Sequence, residues 1–198
     1  MEAGVFPREE RLELLAGELT RREPVSPRAA AGICLVYEAL TKIPPPSLRF
    51  PPLREGNRAH QPCPSRITNN GGYDVRPQLP LALSEFDMPF PDIAVVLGSP
   101  RDYLAQHPTS ALLVVEVSEA SLKTDREVKG SLYASAGIPE YWIVNLREPV
   151  LEVYREPAAD ARTVYGAAYR QRQTLSASEQ ASPLFAPDTR LAVQNLLP

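Results

Sequence analysis

Two short, unbroken apolar runs constrain this chain most. Ile93–Leu97 and Leu112–Val115 each carry a carboxylate at one end: Asp92 opens the first and Glu116 closes the second. Runs of large, mostly β-branched residues leave no face for water. They predict strands buried on both sides, inside a sheet covered by helices. A glutamate directly after four large apolar residues costs several kcal/mol unless it is paired or bound to a metal.

The neighbouring segments fit the same sheet. Ser99–Leu104 reads as one or two turns of helix between the two strands. The charged segment Lys123–Lys129 leads into a helix capped by Ser121 or Thr124, with Val128, Leu132 and Ala136 on its apolar face and Tyr133 alongside. Gly137 and Pro139 stop it. Glu140–Leu146 and Val150–Arg155 read as a strand pair, and Thr163–Tyr165, Tyr169–Leu175 and Thr189–Val193 as further strands.

Before the runs, residues 8–15 could form a short helix, but the glycine of Ala16-Gly17 favours a hairpin of Leu12–Leu15 and Glu18–Arg21 turning there. Ser26-Pro27 is a helix start, with serine as N-cap and proline in the first turn. Ile33, Val36, Tyr37 and Leu40 follow the helical period, and Pro44-Pro45-Pro46 ends it. The chain has 22 prolines, roughly twice the average share of about 5%. They cluster at 44–64, so residues 44–72 are expected to be a long surface loop, with one short strand at Ser47–Phe50. Tyr73–Val75 and Leu79–Leu83 read as weak strands. The expected architecture is α/β or α+β, a sheet sandwich with helices on its faces.

At 198 residues, 1–198 is expected to form one domain: a hairpin and helix in 1–43, the Pro-rich loop 44–72, and a core in 73–198. A net charge of −3 gives no global field that recruits nucleic acid, although an acidic metal site would itself lower the charge. Cys34 and Cys63 are too few for a disulfide framework or a zinc site, which fits a reduced, cytoplasmic setting. The start of the chain lacks the apolar centre of a signal peptide, and no run reaches the ~20 apolar residues a membrane helix needs.

The chemistry follows from the strand-end carboxylates. Adjacent strands lie ~4.8 Å apart, so Asp92 and Glu116 can share one magnesium or manganese ion. Lys129 on the next helix, or Lys123 before it, can orient a water, take its proton or steady developing negative charge. Taken singly, a carboxylate at a strand end more often just faces solvent or caps a turn. Other features read as structural. Tyr141 and Trp142 suit sheet packing, and Asp125, Arg126 and Glu127 a solvated helix start. Arg21, Arg22 and Arg28 suit a charged surface, with a phosphate path as the alternative. His60 and Cys63 have no metal-site spacing, and Cys34 reads as a small core residue.

Phe90-Pro91-Asp92-Ile93-Ala94-Val95-Val96 followed by LLVVEVSEASLKTDREVKGSLYASAGIPEYWIV resembles the Uma2 family of restriction-endonuclease-like proteins, within the PD-(D/E)xK nuclease superfamily. The resemblance is specific over residues 78–155 and extends weakly to Glu13–Leu19 and Val25-Ser26-Pro27. It implies a mixed β-sheet core flanked by helices, with Asp92 and Glu116 as metal ligands, joined by the Val117 carbonyl. The superfamily's lysine would fall at 118, where Ser118 stands, so Lys129 takes its part. Glu13 would reach the site from the hairpin. Three positions depart from the family pattern: Ala16 for the aspartate of the turn, Ala31 for a helix histidine, and Phe90 for an acidic residue. The expectation is a Mg2+-dependent endonuclease acting on DNA, as a homodimer because a duplex offers two strands. The alternatives are an inactive nuclease fold serving as a DNA-binding or assembly module, and a small-molecule phosphohydrolase. The resemblance itself assigns no role to Glu18 or Lys123.

Overall fold

The structure, a computed structural model, describes residues 12–22, 24–44 and 72–198. The hairpin forms where expected: β1 (Leu12–Leu15) pairs antiparallel with β2 (Glu18–Arg21). Its two turn residues, Ala16 and Gly17, have φ of 51° and 77°. Positive φ at both positions matches the twist of a two-residue hairpin, and the glycine adopts it without strain. Helix α1 (Pro27–Thr41) starts at Ser26, whose hydroxyl accepts the Ala29 N–H at 3.0 Å.

Six strands form the main sheet: β3 (Tyr73–Pro77), β4 (Ile93–Leu97), β5 (Leu113–Ser118), β6 (Glu140–Asn145), β7 (Val150–Ala159) and β8 (Ala167–Ser176), in that spatial order. Every neighbouring pair is antiparallel except β5 and β6. A parallel pair needs a long crossover. Here it passes through α2 (Leu122–Thr124), a π-helical turn (Asp125–Lys129) and α3 (Gly130–Ser135). A short pair, β9 (Gln180–Ala181) and β10 (Leu191–Ala192), closes the C-terminal part.

The sheet is covered on both faces, which is why β5 is buried at every position. On one face Ile33, Val36 and Leu40 of α1 pack on Ile93, Val95, Leu113, Val115 and Trp142. On the other face Leu132 and Tyr133 of α3, with Leu15 of the hairpin, pack on Ala94, Val114, Tyr141 and Ile143. Alternation along β5 puts Glu116 on this second face, between the hairpin and the crossover helices. At the first face α1 approaches β5 closely. A Cβ at Gly32 would sit 2.9 Å from the Val117 side chain.

Several sequence expectations are corrected. Leu79–Leu83 is not a strand: the Leu81 and Leu83 N–H groups bond to Pro89 and Asp87 carbonyls inside a folded-back loop. Thr163–Tyr165 lies in the turn between β7 and β8, where the Thr163 hydroxyl bonds the carbonyls of Asp160 and Ala167. Thr189–Val193 contributes only the two residues of β10 before a 3-10 turn. Cys34 is an exposed thiol and Tyr37 is exposed too, because the inward stripe of α1 runs through Ile33, Val36 and Leu40. Asp125 is buried, not solvated. Ser47–Phe50, His60, Cys63 and nearly all of the 44–72 loop fall outside the described residues.

Candidate active site

The β4–β5 register pairs Ile93 with Val115, so one step further Asp92 lies across from Glu116. Asp92 Oδ2 accepts the Val117 N–H at 2.9 Å, which ties the first carboxylate to the strand bearing the second. Glu116 Oε1 accepts the Lys129 ammonium at 3.1 Å and the Tyr133 hydroxyl at 2.8 Å. Lys129 also lies 3.7 Å from Asp125 Oδ1 and 3.9 Å from Glu13 Oε1. Glu13 Oε2 in turn accepts the Phe90 N–H at 3.3 Å. Arg22 approaches from the end of β2, its Nη2 3.6 Å from Asp92 Oδ1.

The structure thus brings Asp92, Glu116, Lys129 and Glu13 into one buried cluster. Val117 contributes its N–H to that cluster. Lys123 and Glu18 are exposed on the surface. Arg28 faces Glu119 at 3.9 Å. Tyr141 and Trp142 are fully buried sheet residues. With serine at 118, the helix supplies the cation from the next turn of structure.

The π turn is what shapes that supply. Its wide ring sends the Gly130 N–H to the Asp125 carbonyl, which also accepts the Tyr141 hydroxyl at 3.1 Å. Such turns recur at functional sites. Two members of the site escaped the sequence: Asp125 and Tyr133. With Lys129 they recur every fourth residue, a one-face spacing that could have revealed both. Arg22, which the sequence offers as charged surface or as part of a phosphate path, lies against Asp92.

Electrostatics separates this cluster from the other buried carboxylates. Glu140 is fully buried but takes the Arg155 guanidinium, with Arg155 Nε at 2.8 Å, and the Leu184 N–H at 2.7 Å. Burial pushes the Glu152 carboxyl up. Bonds from Arg126, Tyr154 and Asn145 and the nearby Arg172 outweigh that and hold it below the ordinary value. Glu116 goes the other way. Burial drives its pKa up to about 8, the Asp92 and Asp125 carboxylates add to the rise, and Lys129 only partly offsets it. Burial also raises the Asp92 carboxyl. On Lys129 burial opposes the charge, but Glu116, Asp125, Glu13 and Asp92 together hold the ammonium above the usual lysine range.

This donor set suits a hard divalent cation. It is all oxygen, and its four carboxyl groups outnumber the two basic groups that face them, with the Glu116 pKa raised to about 8 while no cation is bound. Asp125 Oδ1 is buried without a hydrogen-bond partner among the described residues. No three His, Cys, Asp or Glu side chains among those residues are close enough to hold an ion unaided. Magnesium needs only one or two carboxylates, with waters and substrate oxygens completing its shell.

A mixed sheet with helices on both faces carries this buried acidic cluster on one of them. The sequence profile of the Uma2 family, described as "putative restriction endonuclease", matches residues 61–194. That is about two thirds of the chain, and the chain belongs to this family. A crystal structure of a protein from Anabaena variabilis, described as a putative nuclease, shares the fold with a TM-score of 0.61 at 14% identity. The similarity covers 95% of this chain and 90% of that one. No curated protein matches the chain. No helix among the described residues is long and apolar enough to cross a membrane.

Proposed function

We propose that this protein is a magnesium-dependent endonuclease that hydrolyses phosphodiester bonds in DNA. The observation that carries the proposal is the buried convergence of Asp92, Glu116 and Lys129, in which Glu116 alone of the buried glutamates of the main sheet lacks an arginine partner. Asp92 and Glu116 would hold the metal, with the Val117 carbonyl. Manganese would serve in its place. The ion supplies charge neutralisation at the phosphate and a more acidic water. Lys129 remains an ammonium, because four carboxylates surround it, so it acts as a charged donor to the attacking water or the phosphate rather than as a base. Glu13 holds Lys129 from the hairpin side.

The whole chain is read as one nuclease unit acting as a homodimer. The exposed edge strand β8 offers a surface for pairing, and a second copy would serve the second strand of a duplex. An exposed thiol at Cys34 suits a reducing, cytoplasmic setting. The test is plasmid cleavage with and without magnesium, by the wild type and by Asp92→Ala and Glu116→Ala. Cleavage by the wild type alone is expected. Equal cleavage by either variant defeats the site assignment.

A further inference from the structure

We propose that Arg22 binds the scissile phosphate and stabilises the charge that builds up on it. This assignment rests on the nuclease reading. Arg22 follows β2 and its side chain, 13% exposed, reaches Asp92 of the acidic cluster. The 3.6 Å separation from Asp92 Oδ1 is too long for a hydrogen bond, so this pair uses none of the five guanidinium donors. The guanidinium also lies over the Phe90 ring, 5.9 Å from its centre. That ring offers a flat support on which a planar cation can shift without losing contact.

The position of the pair gives it its meaning. Asp92 Oδ2 is committed to the Val117 N–H. Oδ1 is the oxygen left for a cation, and Arg22 stands against it. Were Asp92 to hold a divalent ion, its charge would no longer be available to the Arg22 guanidinium, which would be free to take up an anion instead. The fork of an arginine matches two phosphate oxygens. Among the described residues, Lys129 is enclosed by carboxylates and Arg126 bonds Glu152 through two nitrogens. Phenylalanine at position 90 matters here, because an acid there would hold Arg22 away from a phosphate.

The experiment compares Arg22→Ala, Arg22→Lys and the exposed control Arg28→Ala, which removes the same charge. Single-turnover cleavage in magnesium gives kcat and its metal dependence. Fluorescence anisotropy with a labelled duplex in calcium gives affinity against salt. Loss of Arg22 is expected to lower kcat about 10²- to 10³-fold. It should also reduce the salt slope of binding by about 0.9, the share of one phosphate contact. Arg22→Lys should recover part of kcat, the metal midpoint should stay put, and Arg28→Ala should match the wild type. The proposal is overturned if Arg22→Ala cuts and binds like the wild type. It is also overturned if only the metal midpoint and thermal stability move, since Arg22 would then merely balance Asp92. If the wild type neither cuts nor binds DNA, the nuclease reading falls first and takes the Arg22 assignment with it.

Discussion

Lys129 Nζ lies 3.1 Å from Glu116 Oε1, and both side chains are almost wholly buried. Truncating one partner of such a pair leaves the other charge buried and unmatched. Lys129→Met is therefore expected to lower kcat by about 10²- to 10⁴-fold, within the range of a lost proton-handling or charge-stabilising group. It also removes the cation that partly offsets the rise in the Glu116 pKa. Single-turnover rates together with circular dichroism separate the catalytic loss from unfolding.

The Glu116 pKa makes stability depend on pH in a definite direction. Its folded value is about 8 against an ordinary 4.5, so the unfolded chain gives up this proton first as pH rises. Stability without metal should fall between about pH 4.5 and 8, by an amount on the order of a few kcal/mol, and then level off for this group. The raised Asp92 carboxyl acts in the same sense from a lower starting pH. Under the proposed function magnesium would bind the ionised form, so its stabilising shift should grow across this window. Thermal midpoints with and without the ion measure both slopes, and Glu116→Gln should flatten them. A metal-free midpoint that rises from pH 5 to pH 8 would contradict the assignment.

Tyr133→Phe removes only the hydroxyl that donates to Glu116 at 2.8 Å. Partners of metal-binding carboxylates commonly contribute 10- to 100-fold in affinity. The expected outcome is a weaker magnesium dependence of that order, with kcat at saturating metal reduced much less. A metal titration of the cleavage rate decides it.

Glu152 provides the contrasting case. It is buried, bonded to Arg126, Arg172, Asn145 and Tyr154, and sits on the same sheet face as Glu116. Glu152→Ala should destabilise the fold by about 1–3 kcal/mol, because it leaves the buried Tyr154 hydroxyl and Asn145 amide without their acceptor. Metal affinity should not change. Urea unfolding and metal titration together test whether the two glutamates differ in role as their surroundings indicate.

Gly32→Ala tests how α1 supports the site from the opposite face. The added Cβ would meet the Val117 side chain at 2.9 Å, and Val117 carries the N–H that holds Asp92. Overpacking of this kind costs about 1–3 kcal/mol. A lower thermal midpoint with reduced activity is expected, and Gly32→Ala with wild-type values for both would show that the contact relaxes freely.

Much of this arrangement was legible in the residues themselves. Side chains alternate along a strand and recur every third or fourth residue along a helix, so apolar pattern alone located β4, β5, β6, β7 and the crossover helices. Turn chemistry at Ala16-Gly17 and the Ser26-Pro27 cap located the hairpin and α1. The same local rules failed at Leu79–Leu83 and Thr163–Tyr165, where loop hydrogen bonds outweigh strand propensity.

A pairing of strand-end carboxylates was suggested by sequence alone, since Asp92 opens one buried apolar run and Glu116 closes another. Its surroundings were decided by tertiary structure. Strand register set Asp92 opposite Glu116, and the π turn brought Asp125, Lys129 and Tyr133 onto it. Hairpin docking carried in Glu13 and Arg22 from 70 and more residues away along the chain. Local pattern records which face of an element is apolar. It holds no record of which distant charges that face will meet, and the raised pKa of Glu116 is the sum of those meetings.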